Sequence, residues 1–146
     1  MNFNHICLYT DGGSKGNPGP GSIALIICNS NNEILQEYSE CIGHCTNNQA
    51  EYKALIKGLD LSARYTRRKV TCYSDSELLI KQMNGQYRLK NAALRKLFHQ
   101  VQDLVRMYDE VVYQHVLRGN QRITRADQLV KQAHAGRHID KVHVIP

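Results

Sequence analysis

The sequence has no apolar run near the roughly 20 residues that a membrane-spanning helix needs, and it has no tryptophan. Residues 1–15 lack the basic start and long apolar core of a secretory signal, so we expect a cytoplasmic protein without a membrane association. Internal repeats and low-complexity segments are absent. The chain has 146 residues, of which 42% are hydrophobic and 22% charged, and this is typical of one soluble globular domain.

The five cysteines are an odd number, and three of them lie in apolar runs. This pattern favours buried free thiols. Cys41, His44 and Cys45 form a compact group that could bind zinc, but no second Cys or His pair at zinc-finger spacing completes four ligands. We therefore expect free thiols in preference to a zinc site.

Positive charge is in excess, with 19 Lys and Arg residues against 13 Asp and Glu residues and a formal net charge of +6. This excess favours a polyanionic partner without identifying one, because many basic domains bind no nucleic acid.

Apolar periodicity predicts three strands joined by tight connections, followed by alternating helices and strands. This order implies an α/β fold, a mixed sheet with helices packed on its faces. We expect a single domain over residues 1–135 and a tail over 136–146 that is either frayed or an added edge strand. The predicted strands are 6–9, 22–28, 34–41, 70–73 and 110–116, and the predicted helices are 47–65, 78–85, 94–108 and 123–133.

The first predicted strand ends in a segment with unusual composition, Thr10–Gly21, which contains five glycines and two prolines. Such a segment predicts a tight loop whose backbone can approach a ligand closely. Asp11 lies at the start of this loop, where the strand ends. The sequence thus places one carboxylate at a position where a site could begin.

Three further acidic residues share this property, because each lies at a strand end or in the first two turns of a helix that begins beside the sheet: Glu51, Asp75 and Asp127. Carboxylates crowded together repel one another, and a divalent cation relieves that repulsion. Oxygen ligands without His or Cys favour Mg²⁺ or Mn²⁺, and two such ions can hydrolyse a phosphodiester. The alternative is structural, with Asp75 as an N-cap and Asp127 in the first turn of its helix.

Five segments carry the acids and their polar neighbours, and these are Thr10–Gly13, Gly16–Gly21, Thr46–Glu51, Ser74–Ser76 and Ala126–Leu129. In order and spacing they resemble the type 1 ribonuclease H family over roughly residues 4–134. The resemblance implies a ribonuclease H-like fold, with a five-stranded mixed β-sheet flanked by about four α-helices. It further implies an endonuclease that cuts the RNA strand of an RNA/DNA hybrid and leaves a 5′-phosphate and a 3′-hydroxyl.

The same resemblance implies roles for individual residues. Asp11, Glu51, Asp75 and Asp127 match the ligands of two Mg²⁺ ions, for which Mn²⁺ is the expected substitute. The positions that match contacts to the minor groove of the hybrid are Ser14, Asn17, Asn47 and Asn48, and those that match a phosphate pocket for the DNA strand are Thr46 and Asn91. Each of these polar residues is also a plausible helix cap or turn residue, and a double role is expected.

The sequence departs from the family pattern in several places. Only residues 86–90 separate Gly85 from Asn91, so the basic, Trp-bearing protrusion of many relatives is expected to be absent. Other cations must then support hybrid affinity, and the candidates are Lys15, Arg88, Lys90, Arg95 and Lys96. His44 stands in the phosphate pocket where an arginine is common. Glu77 replaces a frequent amide, and it either reinforces the helix start or tunes metal affinity.

The loop between the last strand and the last helix lacks the mobile histidine that many relatives carry. Arg118 is the preferred substitute because a guanidinium holds phosphate in a forked geometry, and Asn120 is the second choice. His115 falls in the strand pattern and is expected to be structural.

Two other functions are compatible with the sequence. The chain could be a hybrid or double-stranded RNA binding module without catalysis, or another phosphoryl-transfer nuclease of the same fold. The four acidic residues argue against the first, and the two asparagines before Glu51 argue against the second. The resemblance also implies a monomer.

Overall fold

The computed structural model describes residues 3–143, in which six strands form one sheet flanked by four helices. The expected α/β class is confirmed. The strands are β1 (His5–Ser14), β2 (Gly19–Asn29), β3 (Ile34–Cys45), β4 (Lys69–Ser74), β5 (Glu110–His115) and β6 (Ile139–Val142). The helices are α1 (Asn47–Ser62), α2 (Glu77–Met83), α3 (Ala92–Val105) and α4 (Gln121–His134).

The sheet is mixed, with the strand order β5-β4-β1-β2-β3-β6. β1 pairs in parallel with β4, and β4 pairs in parallel with β5. The remaining pairs, β1 with β2, β2 with β3 and β3 with β6, are antiparallel. The carboxyl ends of β1, β4 and β5 therefore meet at one edge of the sheet.

The sixth strand is one more than expected, and it comes from the segment predicted as a tail. Residues 139–142 pair with β3, from Ser39 opposite Ile139 to Gln36 opposite Val142. The buried Gln36 also donates a hydrogen bond from Nε2 to Asp140 Oδ1 at 2.8 Å. Of the two alternatives, the added edge strand is correct for these residues, whereas residues 144–146 lie outside the described part of the chain.

Helices cover both faces of the sheet. On one face α1 and α3 pack over a core that includes Leu8, Leu25, Leu55 and Val101. On the other face α4 packs against β1, β2 and β3 through a second apolar cluster: Ala24, Ile26, Cys28, Ala126, Leu129 and Val130. Alternate residues of β2 thus face opposite helices, as the two-residue period of a strand requires. None of the helices within residues 3–143 is long and apolar enough to cross a bilayer.

The glycine-rich segment is more regular than predicted. β1 continues through Gly12 and Gly13 to Ser14, because these three residues pair in turn with Ile23, Ser22 and Gly21 of β2, and only residues 15–18 form the connection. The prediction of a loop from Asp11 onward was wrong in this respect. Composition alone indicates a loop, whereas strand pairing across the sheet decides the structure.

The cysteines are free thiols, as expected, although only Cys28, Cys45 and Cys72 are buried. Cys41 is exposed, and its thiol donates to the main-chain carbonyl of Ala133.

Candidate active site

Three carboxylates converge where β1, β4 and α1 meet. Asp11 and Asp75 each lie two residues beyond a register pair of the parallel strands, Tyr9 and Tyr73. Glu51 reaches the same point from the first half of α1. One oxygen of each carboxylate lies within 4.8 Å of the other two. The parallel pairing of β1 with β4 thus brings Asp11 and Asp75 together.

The main chain of β1 and a hydroxyl of β4 hold Glu51 in place. The Gly12 amide donates to Glu51 Oε1 at 2.9 Å, and the Ser74 hydroxyl donates to Oε2 at 3.4 Å. A Cβ atom at Gly12 would lie 2.5 Å from the carbonyl oxygen of Ala50, so this close approach requires glycine. The glycine after Asp11 therefore admits α1 and its carboxylate to the site.

Burial and mutual repulsion perturb two of these acids. Burial, followed by the charges of Asp75 and Asp127, raises the pKa of Asp11 from 3.8 to about 7. Burial and the neighbouring Asp11 raise the pKa of the Glu51 carboxyl well above its usual range. Such crowding is costly for a protein by itself, and a divalent cation bound by the oxygens would relieve it. The donor set, which is all carboxylate oxygen, fits Mg²⁺ or Mn²⁺.

Asp127 lies outside this tight group but lines the same cleft, which has a volume of about 620 Å³. Its carboxylate is 44% exposed and lies 3.0 Å from the Lys131 ammonium. Because α4 begins at Gln121, Asp127 is in the second turn and not in the first turn as predicted. Asp127 thus lines the cleft with the other acids, but α4 begins earlier than the predicted start at residue 123.

Asp75 does not cap α2. The N-cap is Ser76, whose hydroxyl accepts from the Leu79 amide at 3.2 Å. The Asp75 carboxylate is instead directed to the cleft, where Arg118 Nε lies 3.6 Å from its Oδ2. Of the two candidates for the missing loop group, Arg118 is thus at the site, while Asn120 caps α4 by accepting from the Arg122 and Ile123 amides.

Hydrogen bonds join the predicted minor-groove residues beside the carboxylates. Asn47 Oδ1 accepts from the Ser14 amide at 2.9 Å and from the Ser14 hydroxyl at 3.0 Å. The main-chain amide of Asn47 donates to Asn17 Oδ1 at 3.0 Å. Asn48 follows directly and lines both the cleft and a neighbouring pocket. The structure thus brings all four predicted residues together at the amino end of α1.

The neighbouring pocket has a volume of about 270 Å³ and contains both residues predicted to hold a phosphate, Thr46 and Asn91. Thr46 is the N-cap of α1, and Asn91 caps α3 by accepting from the Leu94 amide at 3.0 Å. Both predicted cap roles are confirmed. His44 does not line this pocket and instead lines a groove of about 880 Å³ between α1 and α3.

Other sequence expectations have clear structural outcomes. Residues 84–91 link α2 directly to α3, so the basic protrusion is absent. Glu77 pairs with Lys81 at 2.6 Å in the first turn of α2, which agrees with a role at the helix start. Among the candidate cations, Lys15 lines the carboxylate cleft, whereas Lys96 lines the larger groove.

Two histidines at the cleft were missed. His115, expected to be structural, is exposed at the end of β5, and its Nε2 lies 3.2 Å from the carbonyl oxygen of Asp75. His134 lines the cleft from α4. The available signals were the strand-end position of His115 and the spacing of His134, seven residues after Asp127 on one helix face.

Comparison with known proteins identifies the family. Residues 9–133 match a family model described as reverse transcriptase-like. Ribonuclease HI of Halobacterium salinarum is 34% identical over 125 residues, which are 86% of this chain and 62% of that protein. The crystal structure of ribonuclease H1 from this archaeon has a TM-score of 0.86 at 32% identity and covers 91% of this chain and 99% of that one. The chain belongs to the type 1 ribonuclease H family.

Two further ribonuclease H structures agree with this assignment. The N-terminal ribonuclease H domain of a Mycobacterium tuberculosis protein has a TM-score of 0.85 at 34% identity and covers 90% of this chain and 94% of that one. LC11 ribonuclease H1, isolated from compost and crystallised in complex with an RNA/DNA hybrid, has a TM-score of 0.82 at 36% identity, with 90% and 97% coverage. The chain spans 35% of the length of the full-length, bifunctional mycobacterial protein.

Proposed function

We propose that this chain is a metal-dependent endoribonuclease that hydrolyses the RNA strand of RNA/DNA hybrids to 5′-phosphate and 3′-hydroxyl products. The observation that carries the proposal is the convergence of Asp11, Glu51 and Asp75, whose oxygens lie within 4.8 Å of one another in a cleft beside Asp127. Ribonuclease H relatives, one of them crystallised with a hybrid, support the substrate class.

Asp11, Glu51, Asp75 and Asp127 would hold two Mg²⁺ ions, with Mn²⁺ as a substitute. When bound, the ions would activate the attacking water and stabilise the leaving oxygen of the phosphodiester. The raised pKa values of Asp11 and Glu51 support this assignment, because binding a cation is what keeps such crowded acids ionised at neutral pH. Arg118, whose Nε lies 3.6 Å from Asp75 Oδ2, would attract the scissile phosphate.

Recognition of the RNA strand follows from the hydrogen bonds around Asn47. Its Oδ1 accepts from Ser14, and Asn17 Oδ1 accepts from the Asn47 amide. These bonds fix both side chains while using only their oxygens, so the two Nδ2 groups are available as donors. Donors held beside the carboxylates suit the oxygen and nitrogen acceptors of a wide, shallow minor groove, including the 2′-hydroxyl that distinguishes RNA from DNA.

The DNA strand would place a phosphate in the pocket formed by Thr46 and Asn91, with Asn48 between this pocket and the cleft. His44, which lines the adjoining groove, would contact the DNA strand from there. We further propose that the domain over residues 1–135 acts as a cytoplasmic monomer, with residues 136–146 as an extension that supplies β6.

The test is a cleavage panel with a hybrid, an RNA duplex, a DNA duplex and single strands, each in Mg²⁺, Mn²⁺ or chelator. We expect metal-dependent internal cuts confined to the RNA of the hybrid, and their loss in Asp11→Asn. Asp103→Asn is a matched control, because Asp103 is an exposed acid on α3 that pairs with Arg106 at 3.3 Å. Cutting of DNA or of the RNA duplex would contradict the proposed specificity, and hybrid binding without cleavage would indicate a binding module.

A further inference from the structure

His134 faces the same cleft as the carboxylates. Asp127, Lys131 and His134 are spaced i, i+4 and i+7 on α4, so they lie on one face of the helix. Seven residues at 1.5 Å per residue put His134 about 10 Å along the helix axis from Asp127. This separation along α4 places His134 beside the carboxylates and not among them, so we expect it to contact a group of a neighbouring nucleotide.

A fully buried serine fixes the orientation of the imidazole. Ser22 Oγ lies 2.9 Å from His134 Nδ1, and Ser22 has no exposed surface. Ser22 shares its face of β2 with Ala24 and Ile26, which pack under α4. Because Nδ1 is taken by Ser22, the other ring nitrogen, Nε2, is the one left for a ligand in the cleft.

The connection between β1 and β2 brings a lysine to the same place. Ser22 pairs with Gly13, and the Lys15 amide donates to the carbonyl oxygen of Pro20 at 2.8 Å, which closes the turn beside the end of α4. Lys15 and His134 both line the cleft. Burial, followed by the nearby charge of Lys15, lowers the pKa of His134, which agrees with this shared position.

We propose that His134 and Lys15 form a subsite for a backbone phosphate of the RNA strand, adjacent to the cleavage site. A neutral imidazole serves this purpose, because Ser22 can donate its hydroxyl proton to Nδ1, which leaves a proton on Nε2 as a donor to a phosphate oxygen. Lys15 supplies the positive charge. The inference rests on the proposed hybrid substrate.

The position of the subsite selects the RNA strand. The DNA-strand pocket of Thr46 and Asn91 lies beyond Asn17, toward α3, whereas His134 approaches from α4 on the other face of the sheet. Ser14 and Asn17, which belong to the same turn as Lys15, separate the two regions. A phosphate at His134 therefore belongs to the strand that passes the carboxylates.

The first test measures cleavage of a hybrid in Mg²⁺ by His134→Ala, His134→Gln, Ser22→Ala and Lys15→Ala. We expect His134→Ala to raise KM about five- to tenfold with kcat within about twofold, because the interaction lies away from the reacting phosphate. His134→Gln should retain part of the affinity as a donor. Exposed residues on other elements provide matched controls, His99→Ala on α3 and Lys141→Ala on β6, and these should keep the wild-type KM.

The second test locates the phosphate. Hybrids with a single neutral methylphosphonate at successive RNA positions are titrated against Asp11→Asn protein and against Asp11→Asn carrying His134→Ala or Lys15→Ala. One position should weaken binding to the parent and have no further effect on either double variant. The slope of log affinity against log salt should fall by about one for Lys15→Ala.

Several outcomes would overturn the subsite. If wild-type protein cuts the hybrid but His134→Ala and Lys15→Ala keep its KM and salt slope, the subsite is wrong and the proposed function stands. Coupling to a DNA-strand phosphate would refute the strand assignment. A loss of thermal stability in His134→Ala and Ser22→Ala without a change in KM would show a purely structural role. If the wild-type chain binds no hybrid, the proposed function and the subsite fail together.

Discussion

Removing the charge of Asp11 should stabilise the metal-free protein at high pH while abolishing cleavage. Burial and the neighbouring carboxylates raise the pKa of Asp11 from 3.8 to about 7. At a pH between these two pKa values, Asp11 is still protonated in the folded state but has lost its proton in the unfolded state. Unfolding therefore becomes easier as the pH rises through this window, and the penalty is complete above about pH 7.

The change in the free energy of unfolding follows from the raised pKa of Asp11. Raising the pKa from 3.8 to about 7 corresponds to an upper limit of about 4 kcal/mol in the free energy of unfolding. The crowded acids titrate together, so we expect about 2–4 kcal/mol for Asp11 alone. Asp11→Asn should gain this free energy of unfolding over wild type at pH 8 and little of it at pH 4.

The assay is urea unfolding in chelator at pH 4, 5, 6, 7 and 8, with Asp103→Asn as the control. The difference between Asp11→Asn and wild type should grow with pH, while the control follows wild type. Mg²⁺ should stabilise wild type at pH 8 more than it stabilises Asp11→Asn, since the ion relieves the same repulsion. A difference that does not vary with pH would refute the argument that Asp11 is held in a crowded, metal-requiring environment.

Three further predictions concern the surroundings of the carboxylates. Gly12→Ala should destabilise the protein by about 1–3 kcal/mol and reduce cleavage, because its Cβ would lie 2.5 Å from the Ala50 carbonyl oxygen. Chemical denaturation measures this loss. The control is Gly119→Ala, because a Cβ at Gly119 meets nothing within 4 Å. Arg118→Ala should lower turnover more than twofold without changing stability, because its side chain is 91% exposed; unchanged turnover on the hybrid would exclude a role in cleavage. Asn91→Ala should lose a cap worth about 1 kcal/mol and weaken hybrid binding. Asn91→Asp should keep the cap but still weaken binding by repelling the phosphate, and equal hybrid affinity of Asn91→Asp and wild type would show that Asn91 acts only as a cap.

Local signals in the sequence predicted a large part of the fold. The periodicity of α3 and the cap residues Thr46 and Asn91 depend on neighbours a few positions away, and the structure confirms them. The predicted elements were wrong where a segment pairs with a strand that is distant in sequence. The composition of the glycine-rich segment predicts a loop, but Gly12 and Gly13 lie in β1 because they pair with β2. β6 likewise depends on β3, which lies about 100 residues earlier.

For the site, the sequence by itself determined which acids are available and on which strands and helices, or directly beside them, they lie. Parallel pairing of β1 with β4 was enough to bring Asp11 and Asp75 together. Only the tertiary structure decided that Glu51 joins them in a tight group while Asp127 stays at its border. It also decided that Ser22 orients His134, because side chains 112 residues apart meet only once α4 packs on the sheet.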